Sequence, residues 1–120
     1  MKLPLMLTRR GILAGAAMLS MLMSPISAMA DEVKVAGIFT LPVDQQWISR
    51  IHIALDAAQD RGDIEYVYSE NVSNTDYERV MREYAENGVN LIVGEVFGLE
   101  RAARKVAADY PDIAFLMGSS

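Results

Sequence analysis

Two acids and two aromatic residues stand out for where they fall along this chain. Asp44 and Trp47 follow the first β-type run, and Glu95 and Phe97 follow a later one. Aromatic rings stack on planar heterocycles, and carboxylates accept hydrogen bonds from ribose hydroxyls or ring N–H groups. Together the four suit a flat polar molecule rich in donors. Each also has a plainer use. Trp47 and Phe97 can cover a sheet as core residues, Asp44 can cap a helix, and Glu95 can pair with a donor inside the protein.

Several kinds of catalysis are excluded by what is missing. The chain has no cysteine, so disulfides, thiolate metal sites and cysteine nucleophiles are impossible. Neither a Gly-x-Gly-x-x-Gly or phosphate loop nor a Gly-x-Ser-x-Gly elbow follows a strand. The lone histidine, His52, falls within a helical stretch and is expected to be structural. A two-component receiver domain would need an acidic pair ending the first strand and an aspartate ending the third. Phe39-Thr40 and Glu95 occupy those places. No metal, cofactor or catalytic residue is expected.

The elements that must position Asp44, Trp47, Glu95 and Phe97 follow from hydrophobic period. Short β-branched runs alternate with longer segments of helical spacing, which predicts a parallel, doubly wound α/β sheet. Strands are expected at 33–39, 64–69, around Leu91-Ile92-Val93, and at 113–117. Helices are expected at 45–61, after Ser73-Asn74-Thr75-Asp76, and from about Leu99 to Tyr110. Trp47, Ile48, Ile51, Leu55 and Ala58 form the first apolar stripe, and Tyr77, Val80, Met81 and Tyr84 the second. Ser73 and Asp76 have the spacing of a capping box. In the third helix Leu99, Ala102, Ala103, Val106, Ala107 and Tyr110 share a side, opposite Arg101, Arg104 and Lys105. With strand order 2-1-3-4 the first and third strands flank the reversal point, where ligands of open α/β sheets bind beyond the carboxyl ends.

The first thirty residues carry a different message. Lys2, Arg9 and Arg10 precede an apolar run from Ile12 to Met23, and Ala28-Met29-Ala30 has the form of a cleavage site. This predicts a signal peptide over 1–30, with a run shorter than the roughly 20 residues that span a membrane. Thr8-Arg9-Arg10-Gly11-Ile12-Leu13 is similar to a twin-arginine (Tat) signal, which usually has Ser at the place of Thr8, Phe at Ile12 and Lys at Ala14. Cleavage would remove three cations and no acid, taking the formal net charge from −5 to −8. Such an acidic domain lacks the basic footprint of a nucleic-acid binder. With no cysteine near the expected cleavage site no lipid anchor is expected, and the mature protein is expected to be soluble in the periplasm. Residues 31–120 are expected to form one incomplete N-terminal lobe, because Gly118-Ser119-Ser120 should lead into a fourth helix.

Over residues 33–120 the chain resembles the N-terminal lobe of substrate-binding proteins of the basic membrane protein family, the purine-nucleoside-receptor type. The resemblance rests on Gly37 with Asp44-Gln45-Gln46-Trp47, on Glu70-Asn71-Val72 with Tyr77-Glu78-Arg79-Val80, and on Leu91-Ile92-Val93-Gly94 with Phe97-Gly98. Val106-Ala107 with Tyr110-Pro111-Asp112 completes it. It implies a type I periplasmic-binding fold, in which two α/β lobes close on a small solute and deliver it to the permease of an ABC importer. Nucleoside-binding members commonly have a Phe-Asn pair where this chain has Trp47-Ile48, so the stacking face is kept and the amide is not.

The expected function is therefore that of a monomeric periplasmic solute receptor with a small polar ligand, a purine nucleoside among the candidates, held between lobes. Asp44, Trp47, Glu95 and Phe97 are this lobe's expected contacts. Two rival readings remain open. One is an exported α/β enzyme whose catalytic residues lie in a C-terminal part, and the other is a solute sensor for signalling.

Overall fold

A computed structural model describes residues 31–119, and the expected signal segment at 1–30 lies outside them. The elements alternate as the hydrophobic period requires: β1 (Val33–Ile38), α1 (Gln46–Asp60), β2 (Ile64–Ser69), α2 (Tyr77–Glu86), β3 (Leu91–Glu95), α3 (Glu100–Asp109) and β4 (Ala114–Gly118). All pairings are parallel and the order is β2-β1-β3-β4. Order and direction both agree with the sequence expectation.

That order decides which face each helix covers. The chain steps outward from β1 to β2, then returns past β1 to reach β3 and continues to β4. Crossovers of one hand therefore put α1 on one face and α2 with α3 on the other. The packing follows this division. Val35, Tyr66 and Val93 face Ile51 and Leu55 of α1. On the opposite face Ala36, Ile38 and Ile92 meet Tyr77, Met81 and Ala85 of α2 and Ala103 and Val106 of α3. Strand alternation explains the split, since neighbours along a strand point to opposite sides.

Boundaries differ from expectation by a residue at several element ends. Ile113 stays out of β4 because its N–H bonds to the Tyr110 carbonyl at 3.1 Å, closing the turn that follows α3. Phe39 lies past the end of β1 yet remains tied to the neighbouring strand, its N–H bonding to the Ser69 carbonyl at 2.9 Å. The capping-box residues do meet, one step ahead of the helix. Ser73 Oγ accepts the Asp76 N–H at 3.2 Å and donates to Asp76 Oδ2 at 2.8 Å, and α2 begins at Tyr77. This hydroxyl, and then Arg79, hold the Asp76 carboxyl below the usual carboxylate range.

The clearest departure concerns Trp47. Sequence period places it on the apolar stripe of α1 with Ile48, but Ile48 alone of that helix is fully buried and Trp47 is 62% exposed. Trp47 is only the second residue of the helix, and its side chain is left largely to solvent there.

Candidate functional site

The carboxyl end of the sheet is built by three loops, of which the first two are fastened to each other and the third runs on beside β4. The loop after β1 is pinned to the loop after β2, where the Val43 N–H donates to Glu70 Oε2 at 2.7 Å. A second tie runs from the Val72 N–H to the Phe39 carbonyl at 3.0 Å. Between these ties Asn71 adopts a left-handed conformation, with φ of 56°, which asparagine tolerates better than most residues. Asp44 immediately follows the pinned Val43 and is exposed. It does not cap α1. The cap position belongs to Gln45, and no side chain bonds to the first helical N–H groups.

The end of β3 is fixed from below by Tyr77, the first residue of α2. Its buried hydroxyl donates to the Ile38 carbonyl at 2.9 Å and accepts the Glu95 N–H at 3.1 Å. Room for that hydroxyl comes from Gly94, because a Cβ there would collide with it and lie 2.5 Å from the Ile38 oxygen. Burial pushes the Tyr77 phenol well above its ordinary range, so it stays neutral and able to play both roles. Beyond Glu95 the chain runs on beside β4 through the Val96 N–H to the Gly118 carbonyl at 2.9 Å. It then turns at Gly98, with φ of 78°, into α3.

Glu95 itself is the anomaly of this end. It is 5% exposed, the one buried acid among the described residues, and its Oε1 is buried with no hydrogen-bond partner among them. Burial raises its carboxyl above the usual glutamate range. Alternation puts Glu95 on the side of Val93, which is the α1 face. Extending the β1–β3 register by one step from Ile38 opposite Gly94 sets Phe39 beside it.

The four residues singled out by the sequence thus lie at one end of the sheet. Asp44 and Trp47 leave from β1, Glu95 and Phe97 from its neighbour β3. Trp47 is 62% exposed and Phe97 46%, so neither ring is spent on the core. No hydrogen bond joins any two of the four among the described residues, and the arrangement is a rim, not a closed pocket. A groove of about 830 Å³ lies elsewhere, between α2 and α3, lined by Glu78, Leu99, Arg101 and Arg104. It is open and charged on both sides, and it contains none of the four.

Sequence reasoning did not assign a site role to Tyr77 or Gly94. For Tyr77 a signal existed, since a tyrosine on a buried stripe must find a partner for its hydroxyl. His52 is structural as expected: Nδ1 lies 3.0 Å from the Tyr66 hydroxyl, and its ring meets that of Tyr68 edge-on at 4.6 Å. No group of three His, Cys, Asp or Glu side chains able to hold a metal occurs among the described residues, and none of their helices is long and apolar enough to cross a membrane.

Comparison with known proteins bears on this architecture in two ways. A protein of Haloferax volcanii, TsgA13, which carries the name of a candidate ABC transporter glucose-binding protein, is 42% identical over 52 residues. That segment is 43% of this chain and 13% of the relative, so the chain spans a small part of that protein's length. Residues 37–120 match the PnrA-like ABC transporter substrate-binding proteins, from the first strand through the last. The exposed aromatic rings and the unpartnered acid at the strand-order reversal therefore belong to a member of that family, the Bmp family of ABC transporter substrate-binding proteins.

Proposed function

We propose that the chain is the N-terminal lobe of a periplasmic solute receptor for an ABC importer, and that it binds a small donor-rich solute at the carboxyl end of its sheet. The observation that carries this reading is Glu95. A buried carboxylate without a partner is costly, and a ligand donor at Oε1 would relieve that cost. Trp47 and Phe97 supply the faces between which a ring can lie, and Asp44 is left without a capping duty.

Family membership and the open rim support a second surface that closes over the ligand, since no enclosed cavity holds the four residues on this lobe. Closure is then a hinge motion driven by contacts made only when both lobes touch the solute. The protein performs no chemistry on its ligand and hands it to a membrane permease. It acts as a monomer, released without a lipid anchor after its twin-arginine signal is removed. A purine nucleoside is the first candidate ligand, from the family and the stacking face of Trp47. A sugar is the second, favoured by the name of the Haloferax relative.

Thermal-shift measurement on the full-length mature protein tests the reading. A ligand that binds only the native state raises the melting temperature by mass action. Inosine, adenosine and glucose are the first panel. A concentration-dependent rise with one of them supports the receptor reading, and a panel of nucleosides, sugars and other polar solutes that leaves the melting temperature unmoved overturns it.

A further inference from the structure

The two helices that share one face of the sheet treat their cations in opposite ways. On α2, Arg79 lies between Asp76 and Glu83 at 3.2 and 2.7 Å, and Arg82 between Glu78 and Asp109 at 3.0 and 2.9 Å. Every cation of that helix is neutralised. On α3, Arg101, Arg104 and Lys105 are all exposed, and none of them forms an ion pair among the described residues. Lys34 and Arg61 are paired as well, and the remaining unpaired cation, Arg50, stands alone on α1 at the opposite face. Helix energetics do not account for the α3 arrangement. Arg101 and Lys105 are four residues apart, a like-charge spacing that weakens a helix. All three precede the last turn, which holds no cation, so the helix dipole gives them no support. Glu100 has the spacing to neutralise Arg104, yet its Oε1 accepts the Gly98 N–H at 3.4 Å.

Their place in the fold supplies a reason. α3 begins just after the Phe97-Gly98 turn, so its first residues border the rim at the carboxyl end of the sheet. The groove between α2 and α3 starts at this turn. Leu99 and Ala102 lie in it beside the three cations, and its Glu78 is already paired with Arg82. It is thus concave, partly apolar and tipped toward positive charge, in a chain that is acidic as a whole. We infer that this groove is where the lobe docks on its membrane partner: it receives a protruding, carboxylate-bearing segment of the importer's permease, held by Arg101, Arg104 and Lys105. The inference rests on the receptor reading and adds the contact surface that reading leaves unassigned. A solute released from the carboxyl end passes to the permease there, so the contact lies beside the rim, where α3 presents its unpaired cations. A flat anionic bilayer fits less well. Three cations fall short of the roughly four to eight that hold a protein on such lipid, and a groove matches a projection better than a plane.

Stimulation of ATP hydrolysis tests this. The full-length mature protein is added to its own permease and ATPase in phosphatidylcholine proteoliposomes, with inosine, adenosine and glucose in excess. The wild type stimulates hydrolysis, and the protein concentration giving half the effect rises as salt is added. Reversing all three charges, with Arg101→Glu, Arg104→Glu and Lys105→Glu, raises that concentration about 10-fold or more and removes most of its salt dependence. The three positions are exposed, so cooperative melting and solute affinity by calorimetry stay as in the wild type. Arg61→Glu, at the far end of α1, leaves stimulation unchanged. Equal stimulation by the reversed variant and the wild type overturns the docking inference and leaves the receptor reading standing. An equal loss in Arg61→Glu makes the effect one of net charge and overturns it too. So does wild-type flotation with phosphatidylglycerol vesicles that the reversed variant fails to join, which assigns the patch to lipid. A wild type that stimulates nothing overturns the receptor reading, and the docking inference falls with it.

Discussion

The Tyr77 hydroxyl bridges the Ile38 carbonyl and the Glu95 N–H, at 2.9 and 3.1 Å, and so ties the carboxyl ends of β1 and β3 together from beneath the site. These are the two strands between which the sheet reverses order. One buried hydroxyl therefore sets the relative height of the two loops that carry the candidate ligand contacts.

Removing that hydroxyl should cost stability and ligand affinity together. Tyr77→Phe keeps the ring and leaves two buried backbone groups short of a partner, at a cost of about 1–3 kcal/mol in unfolding free energy. Gly94→Ala attacks the same joint from the other side, since the new methyl group collides with the Tyr77 oxygen and crowds the Ile38 carbonyl. It should cost about as much or more. Urea denaturation of the two single variants and the double variant measures both effects. The double variant should lose less than the sum, because the two changes share one contact. Full additivity would show that the bridge does not hold the strands.

Glu95 gives a stability signature with a definite sign. Burial raises its folded-state pKa above its unfolded value, so the native state binds the proton more tightly than the unfolded chain. Its contribution to stability is least unfavourable below the unfolded pKa, about 4.3, and worsens as pH rises through the folded value. Glu95→Gln removes the penalty and should raise the melting temperature at pH 7, by an amount worth up to about 1–3 kcal/mol. At pH 4 the gain should shrink toward zero. A gain equal at both pH values would mean that Glu95 is not buried as a charge in the ligand-free protein.

Most of the architecture is legible in the amino-acid order, because hydrophobic period and strand alternation act locally. Leu91-Ile92-Val93 announces a strand covered on both faces, and Ala103 with Val106 announces the inner side of α3, and each is found there. The site is less legible, since its features depend on what happens at element ends. Trp47 has the period of a core residue and the location of a rim residue, and no window of sequence separates the two. Glu95 reads as an acid that must find a donor, yet only the folded arrangement leaves its Oε1 without one. The Tyr77 bridge spans 39 residues to Ile38, a separation at which sequence spacing says nothing.

The proposed export signal includes Arg9 and Arg10, which lie outside the described residues. If Arg9 and Arg10 form a twin-arginine signal, replacing both by lysine should hold the protein in the cytoplasm as an uncleaved precursor. Fractionation with immunodetection measures this. Unimpaired export of the double-lysine variant would assign the signal to the general secretory route and leave the proposed cleavage site at Ala28-Met29-Ala30 unaffected.

Trp47 offers the most direct view of the site because it is the only tryptophan in the chain. In the ligand-free lobe it is 62% exposed, so its emission should be that of a solvated indole. A ligand stacked on it should shift the emission to shorter wavelength or quench it, and the titration should give the same dissociation constant as calorimetry. Trp47→Ala removes little buried surface and should change unfolding free energy by about 1 kcal/mol or less, as surface substitutions usually do. Affinity should fall by about 10-fold or more, the stacking face being gone. Unchanged affinity with unchanged stability would move the ligand away from the β1–α1 loop and remove Trp47 from the site.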